Sequence, residues 1–150
     1  MNYKEALKYS MDLCSRQEKC KSEVSEKLAS FRLPPGDIEK VIKALENEDF
    51  INDSRYAGNF ARDKLRLNKW GKIKIRYMLV QKKLPDHIIS LTLDEIDENY
   101  YLEILREELA KKRSTIRGSN AFELRGKLFR FAQQRGFEAG LIYGIIDEIL

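Results

Sequence analysis

Cysteine and histidine are scarce in this sequence: Cys14, Cys20 and the single His87 are all it has. They cannot assemble the four nitrogen and sulfur ligands of a structural zinc site, and two thiols six residues apart make no disulfide framework. The cysteines are therefore read as plain reduced thiols of a cytoplasmic protein, with no metal and no cofactor. Proline and glycine are rare too, at 3 and 8 of 150 residues. So few breakers, beside abundant Leu, Ile, Lys and Glu, favour helices over sheets. No apolar run approaches the ~20 residues that span a bilayer. The opening "MNYKEALKYS" lacks the apolar core of a secretory signal, so no membrane partner is expected. Also missing are a phosphate-cradling glycine loop, a Ser/His/Asp set and a two-metal carboxylate pattern, which leaves catalysis the least supported function class.

Helical periodicity runs through almost the whole chain. Ala6, Leu7, Ser10, Met11 and Cys14 recur at spacings of three and four, as do Val24 and Leu28, then Ile38, Val41, Ile42 and Leu45. The plan repeats with Tyr56, Ala57, Phe60, Ala61 and Leu65, then Ile75, Met78 and Leu79, then Ile88, Ile89 and Leu93. A third set has Tyr101, Leu105 and Leu109, then Leu124, Leu128 and Phe131, then Leu141, Ile145, Ile146 and Ile149. The repeat also shows in letters: "LASFRLPPGDIEKVIKALENE" aligns with "LVQKKLPDHIISLTLDEID" and more loosely with "AQQRGFEAGLIYGIIDEIL". A period near fifty residues marks an array. The expected fold is all-α, three tandem three-helix units at 1–51, 52–96 and 97–150, elongated or curved. Each unit has too little core to stand alone comfortably, so neighbours should pack or chain together.

The breaks between helices carry their own signals. Prolines in "LPPGD" and "LPD" stop one helix and leave Asp37 and Asp86 in the first turn of the next, where a carboxylate meets the positive helix end. Gly136 occupies the matching break of the third unit as a C-terminal cap. Asn52 or Asp53 caps the helix of the second unit, and Asn120 with Glu123 has capping-box spacing. The segment 112–120, "KRSTIRGSN", is the longest polar break. Trp70 reads as a packed corner anchor, Tyr3, Tyr9, Tyr77, Tyr100, Tyr101 and Tyr143 as core or boundary residues, and His87 as an exposed first-turn residue.

What the chain has in excess is charge, 35% of its residues against the ~25% of an average soluble domain. The net value is only +4, but its distribution is uneven. Between residues 62 and 83 stand Arg62, Lys64, Arg66, Lys69, Lys72, Lys74, Arg76, Lys82 and Lys83, with Asp63 the sole acid. Arg55, Arg62, Arg66 and Lys69 fall on one helix face opposite Ala57, Ala61 and Leu65, and Lys72, Arg76 and Lys83 form a second stripe. A solvated face normally intersperses glutamates at four-residue spacing, as "SEVSEKL" does; this segment has almost none. A polyanion bound there would release counterions and bind in a salt-sensitive way. A second cationic cluster comprises Lys111, Lys112, Arg113 and Arg117, then Arg125, Lys127 and Arg130.

The stretch "FINDSRYAGNFARDKLRLNKWGKIKIRYMLVQKKLPDHII" resembles the central signature of the RecX recombination regulators. The shared features are an acidic turn, Arg55-Tyr56-Ala57, a charged helix, Trp70-Gly71, and a basic helix ending in a leucine and a lysine-rich corner. The resemblance implies tandem three-helix units and a monomeric regulator that binds the RecA filament on single-stranded DNA. It further implies inhibition of ATP hydrolysis, strand exchange and filament growth, with auxiliary affinity for the DNA. Carried over by position, the signature falls on Asp53, Arg55, Tyr56, Ala57, Trp70, Gly71, Lys72, Ile73, Arg76, Leu79 and Lys83. Of these and their neighbours, Arg55, Lys72, Lys74, Arg76, Lys82 and Lys83 are the expected contacts to RecA or DNA. Two departures stand out: Ser54 where the family usually has an acid, and Lys72 where it commonly has proline, which should leave that helix start less fixed. The alternative reading is a stand-alone helical DNA-binding module, although no base-reaching residues can be nominated.

Overall fold

A computed structural model describes residues 1–117 and 120–150 of the chain. The described residues form α-helices and connecting turns only: α1 (Tyr3–Arg16), α2 (Lys21–Ser30), α3 (Pro35–Asn47), α4 (Asp53–Asn68), α5 (Lys72–Gln81), α6 (Asp86–Asp94), α7 (Glu98–Thr115), α8 (Ala121–Gln134) and α9 (Ala139–Ile149). Packing sorts them into three consecutive triplets. In the first, α3 packs on α1 and α2; in the second and third every helix packs on the other two. The architecture is therefore all-α, with three-helix domains in tandem.

Each triplet turns from its second helix to its third in the same way, and this is where the repeat seen in the sequence acquires a physical basis. Arg32, Lys83 and Gly136 all take left-handed backbone, with φ of 61°, 60° and 91°. Each donates its N–H to the carbonyl three residues back, while the following Leu33, Leu84 or Phe137 reaches back five, to Leu28, Leu79 and Ala132. That pair of bonds is the Schellman closure of a helix C-terminus. The residues after the left-handed position are buried in each case, and Pro34 and Pro85 then start the next helix with Asp37 and Asp86 in its first turn. Asn52, Asp97 and Asn120 cap the first or second helix of their triplets through side-chain oxygens that accept from Arg55, Tyr100 and Glu123 N–H groups.

The three triplets do not have three cores. Ala6, Val24, Leu28, Leu33, Val41, Ile42, Leu45 and Ile51 make one cluster inside the first triplet. A single larger cluster runs through the second and third, from Tyr56 and Leu65 by way of Tyr101 and Phe137 to Ile146. Cys20 is the one fully buried residue of the first triplet that joins the larger core. The polar break expected at 112–120 is shorter than the sequence suggested, because α7 continues to Thr115; Gly118 and Ser119 lie outside the described residues. Lysines and arginines with long alkyl stems have high helix propensity, so charge alone did not end the helix.

Candidate functional site

The middle of the cationic segment lies at the junction between the second and third triplets, and its C-terminal end meets the first. α4 ends at Asn68, and Lys69 follows in left-handed backbone, φ 57°, with the Trp70 N–H closing on the Lys64 carbonyl at 3.0 Å. Trp70 is half-buried against Phe60. The Lys64 and Lys74 ammonium groups stand 4.9 and 4.5 Å from the Trp70 ring centroid. It is the expected corner anchor, with two cations held on its faces.

The start of α5, expected to be loosely fixed for want of a proline, is instead held by the third triplet. The Gly71 N–H donates to the Arg135 carbonyl at 2.7 Å, the Ile73 N–H to the Gly136 carbonyl at 3.0 Å, and the Lys72 N–H to the Tyr101 hydroxyl at 2.8 Å. Three donors that a helix leaves orphaned are thus satisfied from outside. Lys72 has an N–H that proline lacks, and the fold uses it. Tyr101 in turn donates to the Glu138 carboxylate. Burial pushes the Tyr101 hydroxyl far above the usual phenol range, and Glu138 reinforces the effect, so the proton stays on the tyrosine. The backbones here nearly touch. A Cβ on Gly71 would lie 2.4 Å from Gly136 and Phe137 backbone atoms, and one on Gly136 would lie 2.3 Å from the Lys74 Cβ. Arg135 adds a brace, donating to the Asn68 carbonyl and the buried Glu108 carboxylate, each at 3.3 Å.

The cations divide into two populations, and here the sequence reading needs correction. Arg55 does not stand on an open face with Arg62 and Arg66. Its guanidinium turns into the junction with the first triplet, donating to both Glu18 carboxylate oxygens at 3.0 Å and to the carboxylate and carbonyl of Asp49. Lys69 lies beyond the end of α4 rather than on its face. Nor is Asp63 the only acid: Lys82 meets Glu23 at 3.1 Å and Arg76 meets Asp86 at 3.3 Å, while Arg66 is 3.7 Å from Asp63. The first-triplet contact is completed by the Ser22 hydroxyl, which donates to the Lys82 carbonyl at 2.6 Å, and by the Lys21 N–H, which donates to Asp53 at 3.1 Å. Burial raises the Glu23 pKa, but bonds from the Cys20 N–H and Lys82 outweigh it and hold the carboxyl below its ordinary range. Among the described residues, Arg62, Lys64, Lys69, Lys72, Lys74 and Lys83 form no ion pair with a carboxylate. Arg62 bonds Asn59, and Lys72 lies 4.9 Å from the Tyr101 ring centroid.

The second cationic cluster is also partly regrouped. Lys112, Arg117, Lys127 and Arg130 line one groove between α7 and α8 with Phe131 and Gln134, and among the described residues no acid lines it. Arg125 instead bonds Asp147 on α9, Lys111 sits 3.7 Å from Glu108, and Arg113 faces a different depression beside Ala110 and Leu124. Sequence reasoning missed the contact of Gly71 with Gly136 and the support of Lys72 by Tyr101, and it misplaced four tyrosines: Tyr77 is 62% accessible, and Tyr143, Tyr100 and Tyr3 are exposed as well, rather than core or boundary.

Tandem three-helix units, the second and third welded through a common core and the second carrying unpaired cations, define an all-α helical-repeat protein. Residues 52–93 match the second three-helix domain of RecX and residues 98–146 the third. The chain is 32% identical to Regulatory protein RecX of Clostridium acetobutylicum over 152 aligned residues, 99% of this chain and 70% of that protein. It is 31% identical to Regulatory protein RecX of Prosthecochloris aestuarii, across 98% of this chain and 95% of the relative. The crystal structure of RecX from Lactobacillus salivarius superposes with a TM-score of 0.86 at 25% identity, covering 98% of this chain and 96% of that one. The chain belongs to the RecX family of regulatory proteins, which are not enzymes. Among the described residues no helix is long and apolar enough to cross a membrane.

Proposed function

We propose that this protein binds the RecA filament on single-stranded DNA and inhibits RecA ATP hydrolysis, strand exchange and filament growth. It acts as a monomer in the cytoplasm, with units 1–51, 52–96 and 97–150 following the filament and direct affinity for the single strand as an auxiliary term. The observation that carries the reading is the set of second-triplet cations left without carboxylates, in a chain that is a RecX family member throughout its length. Lys69, Lys72, Lys74, Lys83 and Arg62 are the contacts we place first. Arg55, Arg66, Arg76 and Lys82 contribute by exchanging an intramolecular carboxylate for the partner. The α7–α8 groove, with Lys112, Arg117, Lys127 and Arg130, extends the surface; Lys111, Arg113 and Arg125 lie at its margin.

The test is hydrolysis of ATP by the matching RecA on single-stranded DNA. Substoichiometric protein depresses the rate if the reading holds. Tight binding to bare duplex with hydrolysis untouched would instead mark a stand-alone DNA-binding module.

A further inference from the structure

Helix α5 is apolar on two sides. Ile75 and Leu79 face the core and are fully buried. Ile73, Tyr77 and Val80 lie on the opposite side at spacings of four and three, and are 56%, 62% and 51% exposed. At about 100° per residue they share an arc roughly 60° wide, so they form a continuous stripe. A helix that buries one face ordinarily has polar residues on the other, and a helix apolar all round is ordinarily covered all round. The same geometry places Arg76 along one edge of the stripe and Lys74 along the other, and Lys83 follows just past the helix C-terminus in left-handed backbone. Among the described residues no carboxylate pairs with Lys74 or Lys83, and Arg76 shares only the largely exposed Asp86.

We propose that this stripe is a protein-docking surface whose occupant is an apolar patch rimmed by carboxylates on RecA protomers of the filament. The inference rests on the proposed function and names the surface through which it works. Charge complementarity selects the occupant. A second copy of this chain would bring cationic rims against cationic rims, which disfavours self-association. A nucleic acid strand would match the cations but not the stripe, because single strands are held on aromatic platforms and two of these three side chains are aliphatic. A protein interface combines an aromatic anchor, aliphatic neighbours and a polar rim. Tyr77 is that anchor.

The experiment has two arms. The double variant Tyr77→Ser with Val80→Ser alters exposed side chains only. It should raise the concentration needed to halve RecA ATP hydrolysis by ~tenfold or more, leaving affinity for bare single-stranded DNA unchanged. In the second arm, hydroxyl-radical footprinting of the unaltered protein should show Tyr77 protected by RecA filaments and not by single-stranded DNA alone. This arm decides the matter if the variant fails to fold. Unchanged inhibition by the folded variant, or an unprotected Tyr77, overturns the docking surface while leaving the proposed function standing. Equal loss of inhibition and bare-strand affinity, or protection that grows with protein concentration in the absence of RecA, overturns it in favour of nucleic acid or a second copy. An unaltered protein that fails to inhibit RecA at all overturns both.

Discussion

Gly71→Ala tests the weld between the second and third triplets directly. The added methyl would sit 2.4 Å from three backbone atoms of Gly136 and Phe137, about 1 Å inside ordinary van der Waals contact. Backbone cannot rotate aside as a side chain would, so the two triplets must separate. Separation by that amount lengthens the 2.7 Å bond from Gly71 to Arg135 and the 3.0 Å bond from Ile73 to Gly136 beyond useful geometry. Two bonds at roughly 1 kcal/mol each, with buried donors left unsatisfied and the shared core loosened, sum to roughly 3–5 kcal/mol. For a chain of this length that lowers Tm by roughly 8–15 °C. The assay is denaturant unfolding followed by helical circular dichroism and by Trp70 fluorescence, with amide hydrogen exchange at Ile73 as the local reporter. A variant within 1 kcal/mol of the parent, with Ile73 exchange unchanged, would refute the argument that backbone contact at this glycine holds the triplets together.

Tyr101→Phe removes both the acceptor for Lys72 N–H and the donor to Glu138; we expect a loss of roughly 1–3 kcal/mol in urea unfolding with the helix content intact. Lys69→Glu with Lys83→Glu reverses two cations that hold no intramolecular carboxylate, and should raise the half-inhibitory concentration in the RecA hydrolysis assay by at least ~tenfold with helicity preserved. Glu23 has its folded pKa depressed below the ordinary carboxylate value of 4.5, so its contribution to stability is present above that value and is lost as pH falls through the folded pKa; Glu23→Gln should flatten that part of the acid limb in a series of unfolding curves between pH 6 and pH 2. Arg32→Gly relieves left-handed backbone on a non-glycine residue and should stabilise the first triplet by up to ~1 kcal/mol, seen as a small rise in denaturation midpoint.

Most of the fold was legible because its determinants are local. Helix periods, the prolines after α2 and α5, and the capping residues Asn52 and Asn120 act within one turn of the chain, and the Schellman closures at Arg32, Lys83 and Gly136 follow the letter repeat. The site was legible only in part, since electrostatic partners need not be neighbours in sequence. Glu23 reaches Lys82 across 59 residues and Glu18 reaches Arg55 across 37, so counting acids between residues 62 and 83 overstated the free charge. The support of Lys72 by Tyr101 was hidden for the same reason. Tyr77 was misplaced because α5 carries apolar residues at both inward and outward positions, and periodicity cannot say which side is covered.

The two junctions of the array are chemically different, and that difference sorts the cations. The third triplet is joined to the second by a common apolar core and backbone contact at Gly71 and Gly136, which ionic strength barely touches. The first is joined mainly by charge and hydrogen bonds: Arg55 with Glu18 and Asp49, Lys82 with Glu23, and Ser22 with the Lys82 carbonyl. Arg55 and Lys82 therefore belong to the assembly of the array before they belong to any partner, and a polyanion that recruits them must compete with carboxylates already in place. Lys69 and Lys74 carry no such prior commitment and flank the welded junction; Lys83 is equally unpaired among the described residues but lies at the other end of α5, beside the first triplet. On the proposed function, a partner meets cations at the weld with no intramolecular pair to break, so we expect substitutions there to weaken inhibition more than substitutions at Arg55 or Lys82.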